Sequence, residues 1–205
     1  MKQVFLFALS FIFCAPSFSQ IDLDKEMMNG STLLLRKGMT LVYGVSFEGS
    51  EYDFIVHLNS FDEGIAFDYE MTNAAGTKGR VVMSMEALTN ARSQNNYFEG
   101  GEMNLVDQTT IWVSKTVFNE LISNKESMIS PDGGNSSVML QGARVGHDYS
   151  FFNAISNTTF NDLSYVYAES EDGKAKYWIH LRKYSPLILK MDLGWTIWLK
   201  ELRKD

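Results

Sequence analysis

Cysteine and proline are scarce in this sequence, which has one cysteine and three prolines among 205 residues. A small fold held together by disulfide bonds is therefore excluded, because such folds need several cysteine pairs. The hydrophobic residues, 45% of the total, are too many for a disordered chain and too irregular for collagen. No internal repeat or low-complexity linker divides the chain, and its length fits one folded domain.

Basic residues are also in deficit, since the formal net charge is −7 at pH 7. Nucleic acids and anionic membrane surfaces attract clusters of lysine and arginine, so neither is predicted as a partner. Long apolar runs are missing as well. The longest such run, residues 4–14, is shorter than the roughly 20 residues that a transmembrane helix needs.

Residues 1–19 are typical of an export signal. Lys2 supplies the positive start, and residues 4–14 form the apolar centre. Ser17 and Ser19 then stand at the −3 and −1 positions of a small-x-small cleavage site. We therefore expect a protein that is exported to the periplasm or the extracellular space, with residues 20–205 forming a single β-rich domain.

Cleavage after Ser19 would leave a mature chain that begins at Gln20. That chain has no cysteine, and the loss of Lys2 changes its formal net charge to −8. A lipid anchor on Cys14 is the alternative processing route. The bulky Phe13 disfavours this route, because a small residue normally precedes a lipidated cysteine.

Apolar residues occupy every second position over long stretches of the chain. Met39, Leu41 and Tyr43, for example, alternate with residues that are smaller or more polar. Such alternation is typical of strands that have one face in a core, and turn residues between the segments favour an antiparallel arrangement. The segments of this kind in the first half are 39–47, 52–58, 65–71 and 81–85.

The C-terminal third has the same pattern. Residues 163–170 and 174–182 flank Asp172-Gly173, a pair that strongly favours a hairpin turn. Two further strands are predicted at 186–192 and 195–202, joined by a turn at Leu193-Gly194.

Helices are the minority. Ser114 is a good N-cap for a helix over 115–124, whose apolar residues share one face. A shorter helical turn is predicted over 86–92. The expected fold is mainly β, with about ten antiparallel strands in a single curved, half-barrel-like sheet. One or two short helices are expected to pack on its concave side.

The histidines do not form a catalytic pattern. His57 and His180 fall at the polar positions of their strands, so both are expected to be exposed. His147-Asp148 is the most enzyme-like pair, but it follows a glycine turn and no Gly-x-Ser-x-Gly motif supplies a nucleophile. No catalytic residue is therefore assigned.

Metal and phosphate motifs are missing too. The sequence Asp132-Gly133-Gly134-Asn135 could offer oxygen ligands, but it is more typical of a tight turn. Glu99 and Glu102 flank Gly100-Gly101, and their negative charges would repel a phosphate. Neither a metal nor a cofactor is predicted.

The combination of an export signal with this strand pattern over residues 39–202 resembles the half-barrel proteins of the bacterial envelope. The lipoprotein-carrier (LolA-like) fold and several uncharacterised periplasmic families have that shape. The resemblance is architectural and implies a curved, half-barrel-like sheet. It transfers no functional residue to this chain.

Tryptophan positions suggest a ligand surface. Trp178 alternates in phase with His180, and Trp198 alternates in phase with Lys200. Trp112 likewise alternates in phase with Thr110 and Ser114, which are both polar. These three tryptophans therefore fall on the face that otherwise carries polar residues. They form either a second buried layer beneath the 115–124 helix or an aromatic wall for a ligand.

Three functions remain open at this point. The leading hypothesis is a non-enzymatic exported protein whose sheet binds an apolar ligand, such as a lipid, or another envelope component. The second is a carbohydrate-active hydrolase, because Asp68 and Glu70 share a strand face about 7 Å apart. The third is a structural or assembly subunit of the envelope.

Overall fold

Strands occupy most of the computed structural model, which describes residues 33–73, 75–184 and 186–204. The predicted export signal (1–19) and the expected start at Gln20 lie outside the described residues. The strands are β1 Met39–Phe47, β2 Ser50–Ser60, β3 Gly64–Met71, β4 Lys78–Ser84, β5 Ser93–Gln94, β6 Gly101–Leu105, β7 Gln108–Thr109, β8 Ser127–Ile129, β9 Val138–Asn153, β10 Thr158–Ser170, β11 Lys176–His180, β12 Ile188–Asp192 and β13 Thr196–Lys204. The helices are α1 Met85–Asn90 and α2 Lys115–Asn124.

Eleven strands form one large sheet in the order β6-β4-β3-β2-β1-β13-β12-β11-β10-β9-β8, while β5 pairs with β7. The prediction of a mainly β fold with one curved sheet and two short helices is confirmed. The sheet is mixed rather than purely antiparallel, because β6 runs parallel to β4 and the end of β9 runs parallel to β13. Between β4 and β6 the chain passes through α1, and such a crossover is what a parallel pair requires.

The inner face of the sheet carries the apolar residues that alternate along its strands. Most of the apolar positions predicted for the core between residues 39 and 85 are buried, although Phe47 and Met85 at the segment ends are exposed. In β1 the alternation of burial is lost, because the intervening Thr40 and Val42 are buried as well. Burial of each large side chain contributes about 1.5–3 kcal/mol to folding. The fully buried residues of this face include Leu41, Tyr43, Val56, Phe67, Val81, Tyr177 and Ile179.

Helix α2 packs on this core and matches its predicted bounds. The Ser114 Oγ accepts a hydrogen bond from the backbone N–H of Val117 at 3.2 Å, which satisfies one of the free donors at the helix start. Phe118 and Leu121 are fully buried, as the apolar face of the helix predicts. The predicted turn over 86–92 is also present, as α1.

The two predicted C-terminal turns are present as well. Gly173 has a φ of 67° between β10 and β11, and Gly194 has a φ of 85° between β12 and β13. Both values lie in the left-handed region that glycine adopts without steric cost. These turns bring the ends of four strands to the same end of the sheet.

The hairpin of β9 and β10 bends back over the sheet. The register between the two strands shifts at three places, and such irregularities bend a strand pair. At its end, β9 pairs with β13 through Phe152 and Glu201. The hydroxyl of Tyr149 donates to the backbone oxygens of Leu189 and Leu199 at 2.6 and 2.9 Å. The second half of β9 therefore contacts β12 and β13 and pairs with β13 beyond the residues through which β12 and β13 pair with each other.

Candidate functional site

The inner face opens into a cavity of about 740 Å³ at one end of the sheet. The strand ends that meet there include the end of β1, the start of β2 and the turns after β10 and β12. We call this space the end cavity. Its apolar lining residues are Phe47, Tyr52, Met71, Tyr97, Phe98, Pro131, Val138, Ala175, Leu193 and Trp195.

The end cavity exists because the packed core stops short of the strand ends. Tyr52 and Trp195 have the same phase as the core residues of their strands, yet both are only half-buried. Tyr97 is 61% exposed and Phe47 is 45% exposed. A group of accessible aromatic side chains of this kind is typical of an interaction site, because soluble proteins rarely expose large apolar patches.

Phe98 separates the cavity from the core. Its ring lies 4.6 Å from the ring of Phe54 and 5.0 Å from the ring of Tyr69, measured between centroids. The backbone N–H of Gly100 donates to the Tyr69 hydroxyl at 3.1 Å, which holds the neighbouring segment in place. Phe98 therefore forms the floor of the end cavity.

The wall formed by residues 95–100 is tied to a second loop. The Asn96 side chain donates to the backbone oxygen of Pro131 at 2.6 Å. The Asn95 side chain accepts from the backbone N–H of Tyr97 at 2.9 Å. This irregular segment thus has fixed contacts on both sides, and its aromatic residues are oriented before any ligand arrives.

Charged groups line the rim of the end cavity, where carboxylates outnumber amines. Hydrogen bonds from the Ser170 hydroxyl and then from the Lys174 backbone lower the pKa of Asp172 to about 2. The Ser136 backbone and hydroxyl likewise lower the pKa of Asp132. Glu99 is a third carboxylate at this rim, whereas Lys174 is the one basic residue among the described residues that line the cavity. The rim is therefore negative at neutral pH.

Sequence reasoning missed the end cavity. In the predicted strand 195–202, Trp195 is in phase with Ile197 and Leu199, which are buried, but this phase does not reveal that the core ends before Trp195. The aromatic pair Tyr97-Phe98 was the one available signal, because two large apolar residues stand there in a segment without strand periodicity.

Two of the three predicted site residues lie together, on the outer face. Trp178 and Trp198 line a groove of about 590 Å³ with Tyr165, Lys190 and Asp148. We call this the outer groove. Its position matches the prediction that both tryptophans lie on the face opposite the core.

Trp112 is not part of either site, and the prediction that it shares a face with the other two is wrong. It is fully buried in the main core, with its ring 5.9 Å from the ring of Phe67. The phase argument failed because Trp112 forms only an isolated bridge with Leu187 rather than belonging to a strand. Residues 111–114 are all buried, so alternation does not apply there.

The prediction that His180 is exposed is also wrong, since its exposed fraction is 3%. The register between β11 and β12 shifts after Trp178, and the chain then turns back, so that the backbone N–H of His180 donates to Leu187. Burial, together with the nearby positive charge of Arg182, lowers the pKa of His180 to about 4. His57 is half-buried, with its Nδ1 2.8 Å from the Thr40 hydroxyl.

His147 is exposed, and its Nδ1 lies 2.9 Å from the hydroxyl of Ser164. A nucleophilic serine must be reached by substrate, but Ser164 is only 4% exposed. Neither the end cavity nor the outer groove is lined by Ser164. The contact between His147 and Ser164 is therefore interpreted as a structural polar contact between neighbouring strands.

Asp68 and Glu70 lie side by side on β3, and each faces a basic residue of β4. The Glu70 carboxylate is 2.7 Å from the Lys78 amine, and that hydrogen bond lowers the pKa of Glu70. Asp68 is 3.7 Å from Arg80. A glycosidase needs one carboxyl group whose pKa is raised so that it can donate a proton, and Glu70 is shifted in the opposite direction.

The Asp132-Gly133-Gly134-Asn135 segment forms a turn. Its Asp132 carboxylate accepts from the backbone and side chain of Ser136 at 2.8 and 2.7 Å. Within the described parts of the chain, no group of three or more acidic, histidine or cysteine residues could hold a metal ion. In the same residues, no helix is long and apolar enough to cross a membrane.

Comparison of the chain with protein families, with curated proteins and with solved structures found no match in any of the three.

Proposed function

We propose that this protein binds an apolar ligand, such as a lipid chain, in the end cavity. The observation that carries the proposal is an accessible cavity of about 740 Å³ lined mainly by aromatic and aliphatic side chains. Its volume lies in the range of small-molecule sites, roughly 300–1,000 Å³, and such sites are mostly lined by apolar and aromatic side chains. Export to the bacterial envelope, which the N-terminal sequence predicts, belongs to the same proposal.

The chemistry of the cavity supports an amphipathic ligand. Phe98 closes the inner end, so the apolar part of a ligand would contact this ring and the indole of Trp195. The rim carries Asp132, Asp172 and Lys174, which remain in water. A ligand with a polar end would therefore keep that end at the rim while its apolar part leaves water, a gain of about 25 cal/mol per Å² buried.

No chemical step is included in this proposal. The carboxyl groups of Asp132 and Asp172 at the rim accept local hydrogen bonds that favour their charged forms and lower the pKa of both. A general acid or base needs a pKa near the working pH. We therefore infer a binding or carrier protein.

The proposal can be tested with the neutral fluorescent dye N-phenyl-1-naphthylamine. Dye emission should rise on binding to the purified protein and should fall when monolaurin displaces the dye. Val138→Asp places a charge in the half-buried cavity lining and should weaken dye binding at least about tenfold, because a charge facing an apolar site is costly.

Val106→Asp is the matched control, since Val106 is 61% exposed and lies outside the cavity lining. It should leave dye affinity unchanged, with both variants retaining a cooperative thermal unfolding transition. Failure of the dye and of monolaurin to bind would refute the proposal, as would equal binding by the two variants.

A further inference from the structure

The outer face carries a row of five side chains, of which two are basic and three are aromatic. Consecutive members of the row are paired across five neighbouring strands, from β9 to β13. The row consists of Arg144, Tyr167, Trp178, Lys190 and Trp198. Because paired residues on one face lie only about 4.5–5.5 Å apart at their Cβ atoms, these side chains form a continuous strip.

Stacking holds the strip together. The Arg144 guanidinium lies 4.2 Å from the ring centre of Tyr167, and the Lys190 amine lies 4.8 Å from that of Trp178. The rings of Tyr167 and Trp178 meet edge to face at 4.9 Å. Each contact of this kind contributes about 0.5–1 kcal/mol at an exposed site. The aromatic rings are thus held in fixed orientations on the outer face.

Two glycines let aromatic rings lie over neighbouring strands. Trp198 is paired with Gly44 of β1, and a Cβ at Gly44 would lie 2.4 Å from the indole. Tyr165 is paired with Gly146 of β9, where a Cβ would lie 2.3 Å from the phenol ring. Any other residue at these positions would displace the ring. One face of each ring, in Trp198 and in Tyr165, therefore packs against glycine backbone. The other face is left for the outer groove.

The outer groove has side walls of different chemistry. The bent hairpin contributes Asp148 and Ser150, and the opposite wall contributes Glu51 and Thr196. The Asp148 carboxylate accepts from the Tyr165 hydroxyl at 2.7 Å, so it is fixed beside the aromatic floor. The groove thus combines aromatic rings with hydrogen-bond acceptors and hydroxyl groups.

We propose that the outer groove binds a neutral oligosaccharide, with sugar rings stacked on Trp178 and Trp198 and sugar hydroxyls bound by Asp148 and Glu51. The C–H groups of a pyranose ring carry partial positive charge and are attracted to the negative face of an aromatic ring. Vicinal hydroxyls donate to carboxylates and accept from an ammonium group such as that of Lys190. An anionic ligand fits less well, because two carboxylates line the groove against one amine.

This site is separate from the end cavity and independent of the function proposed there. None of the residues that line the outer groove also lines the end cavity. It is also separate from Asp68 and Glu70 on β3, and the proposal concerns sugar binding alone. Its volume of about 590 Å³ lies within the usual range for small-molecule sites.

The test titrates the full chain with three neutral probes, which are maltotetraose, cellotetraose and tetra-N-acetylchitotetraose. Calorimetry and tryptophan emission measure the binding. At least one probe should bind with a millimolar or tighter Kd. Trp178→Ala should weaken that binding at least about tenfold, because truncation of an aromatic hot spot typically costs more than 1 kcal/mol. Asp148→Asn, at an exposed position where misfolding is not expected, should weaken it several-fold.

Tyr184→Ala is the matched control, since Tyr184 is 76% exposed and lies outside the outer groove. It should bind the sugar as the unchanged protein does. Binding of N-phenyl-1-naphthylamine in the end cavity should be the same in Trp178→Ala, which separates the two sites and reports correct folding. The proposal is overturned if none of the three probes binds at millimolar concentration. It is equally overturned if Asp148→Asn and Trp178→Ala both bind with unchanged affinity.

Discussion

The hydroxyl of Tyr177 on β11 donates a hydrogen bond to the Oε1 of Gln94 at 2.8 Å, although 83 residues separate the two in sequence. Both side chains are fully buried. The Gln94 amide also donates to the backbone oxygens of Thr110 and Trp112 at 3.1 and 3.4 Å. Gln94 therefore connects the inner face of the large sheet to the segment between β7 and α2.

This buried contact predicts a measurable coupling. Tyr177→Phe and Gln94→Leu should each lower the free energy of unfolding by about 1–3 kcal/mol, because each leaves buried polar atoms without partners. The double variant should lose less than the sum of the two, by at least about 0.5 kcal/mol. Urea unfolding of the four proteins measures this coupling. Strict additivity would show that the hydrogen bond contributes nothing.

Docking of α2 on the core gives a second prediction. Phe118→Ala and Leu121→Ala should each cost about 2–5 kcal/mol through lost burial and the cavity left behind. Ser114→Ala should cost about 1 kcal/mol as a lost N-cap. Asn119→Ala, on the exposed side of the same helix, is the control and should change stability by less than about 0.5 kcal/mol. If truncation of Phe118, Leu121 and Ser114 left the free energy of unfolding nearly unchanged, the packing of α2 on the core would be contradicted.

Helix α2 could be predicted to the residue because its signals are local. A capping serine and an apolar face spaced at helical intervals are enough to define it. The positions of Trp112 and His180 could not be predicted in this way. Burial of Trp112 depends on a segment outside any regular strand, and burial of His180 depends on a register shift between β11 and β12. The alternation of apolar residues in the sequence indicates neither of these two features.

The end cavity was beyond sequence reasoning for a related reason. Alternation correctly places Tyr52 and Trp195 on the inner face, but it does not say how far packing continues along that face. That depends on Phe98, which reaches the Phe54 ring from a segment more than forty positions away in the chain. The outer groove was closer to prediction, since the phases of Trp178 and Trp198 already placed them opposite the core.

His180 predicts a specific dependence of stability on pH. Its pKa is about 4 in the folded protein, against an ordinary value of 6.5. Between these values the unfolded chain takes up a proton that the folded chain does not, so stability is full above pH 6.5 and falls toward pH 4. The loss attributable to this residue is about 3 kcal/mol.

Thermal unfolding between pH 7 and pH 4 measures this effect. His180→Leu should have a flatter dependence of Tm on pH than the unchanged protein. The same substitution at the exposed His147 is the control and should retain the original slope. An unchanged slope in His180→Leu would show that the buried imidazole does not cause the acid sensitivity.

The charge at the rim of the end cavity predicts which polar end a bound ligand carries. Glu99, Asp132 and Asp172 line the cavity, and Lys174 is 3.2 Å from the Asp172 carboxylate. A ligand carboxylate at this rim would be disfavoured by about 1 kcal/mol, or about fivefold in affinity. Among ligands with the same twelve-carbon chain, laurate should therefore bind more weakly than monolaurin and dodecylamine.

Displacement of N-phenyl-1-naphthylamine at low and high salt measures this preference. The disadvantage of laurate should shrink at high salt, because exposed charges are screened. Glu99→Gln should raise laurate affinity, while Glu63→Gln, at an exposed position outside the cavity, should not. Tighter binding of laurate than of dodecylamine would contradict the role of the rim while leaving the cavity proposal intact. Absence of binding by all three ligands would instead remove the cavity proposal itself.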